Sequence, residues 1–336
     1  MIWHTNLAFY STLFLTLLPV RGYPQHVLLS DSDEPVIVTL GTGGGPIARS
    51  ERAETSTAIL VGSRTYLVDA GNGTLQRLAA AHIPLSSITA IFITHYHIDH
   101  TGDLPALIGT RWVNRIYTPM FIVGPPGVED ITAGICRFLE PARQARTGHI
   151  NAAPSPCSTL RPVVLKAPLK GFDGKDFHLT SVVNTHYHGE TSRSADSLSL
   201  RFEFPHETLY FTGDTGLTAT VINHAHGADV LISEVIDEEA TRAYLKSHYL
   251  HSSISENDAL LQHMVSEHMT PLQVGQLASQ AHVKSVILTH LVPGLDGETG
   301  ESHYIAGIKN AFSGPVYLWH DLMKFEPAPN HIFRPH

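Results

Sequence analysis

His95-Tyr96-His97-Ile98-Asp99-His100 stands directly after the run Ile91-Phe92-Ile93-Thr94. Three imidazoles and a carboxylate within six residues, at the end of a buried strand, are expensive in a core unless a metal or water meets them. Alternation along an extended chain sends His95 and His97 to one side, while Asp99 and His100 in the turn can reach a second position. That geometry suits two adjacent cations. Histidine is the commonest metal ligand, and the chain holds 23 histidines against two cysteines, Cys136 and Cys157. A cysteine-rich zinc site and a disulfide framework are thereby excluded.

Upstream, residues 36–40 read as a β-branched strand entering Gly41-Thr42-Gly43-Gly44-Gly45-Pro46. The turn lacks GxGxxG spacing and Pro46 opens no helix, which argues against a nucleotide loop. Further strands are predicted at residues 57–61, 65–69, 88–94 and 116–123, with helices over residues 74–81 and after Gly102. Residues 141–168, rich in Pro, Ala and Ser, read as a long surface loop. Beyond it, strands are predicted at residues 179–184, 197–204, 208–212, 229–233, 285–289 and 316–319, with helices at 218–226 and 271–281. Strands alternating with helices indicate an α/β protein. No short repeat or linker composition interrupts the chain, so residues 23–336 are expected to form a single domain.

The 336 residues are 43% hydrophobic, enough for a full core, and carry a net charge of −9 with histidine neutral. No Lys/Arg block is present to track a phosphate backbone, so nonspecific nucleic-acid binding is disfavoured. Residues 7–20 form an uncharged apolar run of 14, too short to span a bilayer and suited to a signal-peptide core. Residues 1–22 are therefore expected to be a signal peptide and the protein to be exported, although no Lys or Arg precedes the run and the cleavage pattern is weak. Export would permit, without requiring, a disulfide between Cys136 and Cys157.

The HYHIDH motif resembles the HxHxDH signature of the metallo-β-lactamase fold superfamily, and the similarity continues along the chain. Asp69 in LVDAG, His186 in NTHYHGE, Asp214 in FTGDTG and His290 in ILTHL stand where that family carries its remaining site residues. The resemblance implies an αββα sandwich of two mixed β-sheets flanked by helices. It also implies two divalent metal ions, one on His95, His97 and His186, the other on Asp99, His100 and His290, with Asp214 bridging. Nitrogen and carboxylate ligands without thiolate favour zinc, with iron or manganese as alternatives. His186 and His188 alternate by two, and the local geometry has to choose between them; His186 is preferred.

Glu234 in LISE and His268 in EHMT resemble the glutamate and HxT elements of the tRNase Z and arylsulfatase-like branch. By that resemblance His268 protonates the leaving group and Glu234 orients it, the alternative being a surface histidine at a helix start. His248, His251 and His263 read as solvent-exposed. Only 28 positions separate His186 from Asp214, too few for the tRNA-gripping arm of RNA-processing members. With the negative charge, this spacing argues against tRNA and for a small anionic ester, an aryl sulfate or a phosphodiester. Attack would come from a metal-bound hydroxide, oriented by Asp99. Lactam or lactone hydrolysis is chemically open to the same site, and a noncatalytic extracellular metal-binding protein is the reading from another class. Pocket walls are expected from residues 42–46, 154–168 and 292–300.

Overall fold

The computed structural model describes residues 34–45, 47–145, 154–166, 171–187, 196–248, 253–294, 301–318 and 320–326. The expected signal segment, residues 1–22, lies outside them. The first sheet collects β1 (Val36–Gly41), β2 (Ser56–Val61), β3 (Arg64–Val68), β4 (Ile88–Phe92), β5 (Met120–Gly124) and β6 (Leu160–Val164). The second collects β7 (Phe172–Asp173), β8 (His178–Val183), β9 (Leu198–Glu203), β10 (Thr208–Phe211), β11 (Val230–Ile236), β12 (Ser285–Val292) and β13 (Val316–Leu318). A last strand, β14 (Lys324–Phe325), returns to the first sheet beside β1. Each sheet thus has seven strands, in the orders β14-β1-β2-β3-β4-β5-β6 and β13-β12-β11-β10-β9-β8-β7.

Both sheets are mixed. β3 to β6 run parallel in the first, and β10 to β13 in the second. Parallel strands covered on both faces bury every residue, as β11 and β12 do; the antiparallel β1 and β2 are buried throughout as well, because they too are covered on both faces. One core lies between the sheets, where Phe92 meets Phe177 and Phe202 edge-on at 5.8 and 5.1 Å. A second lies under α1 (Thr74–Ala80), α3 (Leu104–Val113) and α4 (Val128–Ala145), with the short α2 (Ile98–Thr101) coming between α1 and α3 in the chain. On the far side come α5 (Ala219–Ala225), α6 (Glu238–His248), α7 (Ile254–Glu267), α8 (Pro271–Gln280) and α9 (Glu301–Lys309), of which α5, α8 and α9 close a third core on the second sheet. The result is the αββα sandwich that the motif implied.

The expected surface loop over residues 141–168 is partly wrong. α4 continues through Pro141 to Ala145, because buried Val128, Thr132, Ile135 and Leu139 form one apolar face that outweighs the lost hydrogen bond. Leu160–Val164 then pairs in parallel with β5 as an edge strand, where Pro162 is tolerated. The cysteines pair: Cys136 on α4 is bonded to Cys157 ahead of β6, with Cα atoms 5.8 Å apart. Among the described residues no helix is long and apolar enough to cross a membrane.

Candidate metal centre

The site forms where strands of both sheets end on one rim. β3 stops at Asp69, which takes the left-handed conformation at φ 61°. Its carboxylate accepts the Thr94 N–H and the Thr94 hydroxyl, each at 2.8 Å, and lies 2.9 Å from His100 Nδ1. Holding Nδ1 in this way fixes the ring and turns Nε2 into the cavity. After β4 the chain turns at His97, and the single helical turn of α2 carries Asp99 and His100.

The glycine turn after β1 packs on the same residues. A side chain at Gly44 would strike His290, one at Gly45 would strike the Asp99 carboxylate, and the Gly45 N–H donates to Asp99 Oδ2 at 2.7 Å. Its glycines permit close approach to the motif, which accounts for a turn that does not read as a phosphate loop.

From the second sheet, His186 follows β8 and Asp214 follows β10, while Glu234 and His290 face each other on β11 and β12. The pairing passes from Ser233 opposite Leu288 to Val235 opposite Leu291, so two residues of β12 lie across from Glu234 alone. This bulge, with His290 at φ 46°, re-aims the His290 ring into the site.

Four rings converge on Asp214 Oδ2. The Nε2 atoms of His290, His100, His186 and His95 lie 3.1, 3.3, 3.7 and 3.8 Å from it. Asp99 Oδ2 is 3.3 Å from His290 Nε2, and His97 Nδ1 is 3.0 Å from His186 Nε2. Ligand atoms of His95, His97 and His186 form one group that could hold a metal ion, and those of Asp99, His100, Asp214 and His290 a second. Nε2 of His95 and of His100 and Oδ1 of Asp214 are buried without a hydrogen-bond partner. Two ligands about 2.1 Å from one tetrahedral ion stand about 3.4 Å apart, so these separations and orphaned atoms fit divalent cations.

Electrostatics within the cluster point the same way. Burial, and then the charge of His100, push His95 well below the ordinary imidazole value. Burial also lowers His186, to about 3. For His100 burial is outweighed by Asp214, Asp69 and Asp99, which raise it well above normal. His290 is raised likewise to about 10, burial yielding to Asp214 and Asp99. Asp214 is depressed despite its burial by His290 and His100. Protons on two imidazoles thus supply the positive charge that the carboxylates demand.

His268 sits between α7 and α8, only 7% exposed, which removes the alternative of a surface histidine. Its Nδ1 lies 3.1 Å from Glu234 Oε2, and Glu234 Oε1 accepts the Met269 N–H at 2.7 Å. Burial alone would lower His268, but the Glu234 carboxylate overcomes it and raises the imidazole. Burial pushes Glu234 up as well, so the pair keeps a proton, which the backbone donor at Oε1 favours leaving on the ring. His268 also falls within 4.8 Å groups with His186 and Asp214, and with Glu234 and His290. His188 and His251 lie outside the described residues.

In front of the cluster opens a cleft of about 340 Å³. Gly45 and Val292 line it, as expected, but residues 154–166 do not. The missing wall is α6 and α7. Their sequence signal was available in Ser253 and Glu256, which form a capping box at the start of α7. His263 is exposed, as expected, and also lines the cleft, 3.4 Å from Glu267. His248 is exposed and stacks on Tyr244 with ring centres 3.9 Å apart.

Ribonuclease Z of Mycolicibacterium paratuberculosis is 27% identical over 293 residues, covering 86% of this chain and 97% of that protein. Ribonuclease Z of Mycobacterium bovis is 26% identical over 296 residues, covering 87% and 98%. With relatives so named, the exclusion of tRNA drawn from charge and spacing lacks support. Among solved structures, the metallo-β-lactamase fold protein YhfI from Bacillus subtilis superposes with a TM-score of 0.63 at 21% identity, covering 88% of this chain and all of that one. The short form of human tRNase Z gives 0.59 at 21% identity over 87% of this chain and 100% of its own. Residues 64–291 match the family described as the β-lactamase superfamily domain, so this chain belongs to that superfamily and has its metallo-β-lactamase fold.

Proposed function

We propose that the protein is a dinuclear metal-dependent hydrolase of small anionic esters, phosphodiesters first and aryl sulfates second. The observation that carries this is the His268–Glu234 pair, with Nδ1 held at 3.1 Å, set beside a His/Asp cluster in which Nε2 of His95 and of His100 are buried without a hydrogen-bond partner. His95, His97 and His186 would hold one cation, Asp99, His100 and His290 the other, and Asp214 would stand between them. Such ions, preferably zinc, would neutralise the anionic oxygens of the ester and acidify water. Asp99, steadied by the Gly45 N–H, orients the attacking water. His268 gives its proton to the departing oxygen while Glu234 keeps the ring aligned and charged.

A second reading is favoured by the name of the relatives, Ribonuclease Z, at 27% identity over nearly their full length. It makes the substrate an RNA phosphodiester cut by the same residues. Rates on a nitrophenyl phosphodiester, an aryl sulfate, a precursor tRNA, a β-lactam and a lactone, measured side by side with zinc supplied, test both. Fastest turnover of the small diester or sulfate is expected. Preference for precursor tRNA would establish the second reading, fastest turnover of the lactam or lactone would make the protein an acyl hydrolase, and bound metal without turnover would make it a noncatalytic binder.

A further inference from the structure

β11 and β12 are parallel neighbours, and their connection needs one helix, a role α8 fills by packing on the third core. α6 and α7 are additional. None of their residues belongs to that core; they form a hairpin tied by Arg242, which lies 2.9 Å from Asp258 and 3.1 Å from Glu238. Much of what the hairpin turns toward the cluster is apolar: Tyr244, Leu245, Leu260 and Met264 line the cleft, beside Thr241, His263 and Glu267. Across from them Ile98, set between two of the motif residues, is 62% exposed, and Leu260 is 38% exposed. With Tyr244, Leu245 and Met264 they make one apolar surface around the cleft, and an apolar patch of this kind, unlike a single exposed side chain, marks a ligand surface.

Charge makes the point sharper. No Lys or Arg is among the described residues lining the cleft. The ionisable groups the hairpin brings there are His263 and Glu267, 3.4 Å apart. An anionic chain lying within the cleft would meet no Lys or Arg among its described lining residues, and Arg242 of the same hairpin is already engaged by Glu238 and Asp258. At about 340 Å³ the cleft falls at the small end of the range for small-molecule sites, and His268 lies on its wall, where the leaving oxygen must receive its proton.

We infer that α6 and α7 form the leaving-group pocket, and that the natural ester carries an apolar alcohol, an aromatic or medium alkyl group, rather than a nucleotide chain. This rests on the hydrolase reading above. Hydrolysis transfers the water oxygen to phosphorus or sulfur, breaks its bond to the alcohol oxygen, and releases that oxygen protonated by His268.

Binding separates this inference from the reaction. The zinc-supplied full chain is titrated calorimetrically with methyl-, butyl-, hexyl- and benzylphosphonate, which share one anionic head. Affinity is expected to rise about fourfold per added methylene. A flat series, or tighter binding of a short oligoribonucleotide than of hexylphosphonate, overturns the inference. Met264→Gln and Leu260→Asn should each weaken hexylphosphonate at least fivefold more than methylphosphonate; equal losses on both would also overturn it. A rising series in a protein that hydrolyses no ester would refute the reaction while upholding the apolar pocket, and turnover of esters with a flat series would do the reverse.

Discussion

Asp69, Thr94 and Glu234 touch no substrate in the arrangement proposed, yet they set the direction of His100 and His268. Through Oδ2, Asp69 holds His100 Nδ1 at 2.9 Å, and through Oε2, Glu234 holds His268 Nδ1 at 3.1 Å. If His268 is the general acid, His268→Ala should leave metal content intact and slow esters of poor leaving groups by about 10²- to 10⁴-fold, with a much smaller loss on nitrophenyl esters. Equal losses on both, or loss of a metal, would place His268 among the ligands. Glu234→Gln makes a finer prediction. The carboxylate raises the imidazole, so the acid form persists to higher pH; removing it lowers that pKa. The alkaline limb of the kcat profile should therefore move to lower pH in the variant, and an unmoved limb would assign the limb to another group.

At the scale of elements, the disulfide joins α4 to the turn before β6 across a sequence separation of 21. By loop-closure entropy such a link stabilises by about 3 kcal/mol. Replacing both cysteines with serine should lower the denaturation midpoint accordingly, with the metal content unchanged because neither cysteine belongs to the candidate ligand groups. Denaturant titration of both proteins measures it, and coincident curves would show that the bond constrains nothing in the unfolded chain. The bulge on β12 acts differently: it costs ladder regularity and gains the orientation of His290.

For the whole molecule, the cluster predicts linked metal and proton binding. Without metal, the carboxylates keep His290 protonated up to a pKa of about 10 and raise His100 as well. A cation must displace those protons, so zinc binding at pH 7 should release protons and its affinity should rise with pH, by about tenfold per unit for each proton displaced. Titration in buffers of different ionisation enthalpy counts them. Elemental analysis should find two metals per chain, and Asp214→Ala should lose both; one metal even after zinc is added back would refute the dinuclear assignment. The Cys136–Cys157 bond also supports our proposal that the protein is exported, since such bonds persist in oxidising compartments. Mass spectrometry of protein from its natural host should then show a chain cleaved near residues 21–24, whereas intact Met1 on soluble cytoplasmic protein would refute export.

HYHIDH, the apolar strands and the short segments ending in Asp69, His186, Asp214 and His290 were legible in the sequence, because ligand chemistry and strand burial are written in neighbouring residues. Strand cores were placed closely, except where β5 begins only at Met120 and where β11 and β12 each continue three residues further, to Ile236 and Val292. Pairing of the strands, the bulge at His290 and the grip of Asp69 on His100 join positions far apart in the chain, and no local pattern encodes them. The same holds for β6, whose exposed edge residues read as loop until β5 supplies its partner. The α6–α7 wall was missed for a related reason: its helices pack on each other and face the cleft, so their apolar side chains acquire a function only from what the fold places opposite them. Sequence determined which atoms could meet a metal or move a proton. Only the tertiary structure decided which of them converge and what kind of surface stands beside them, because convergence depends on contacts between segments that are remote in sequence.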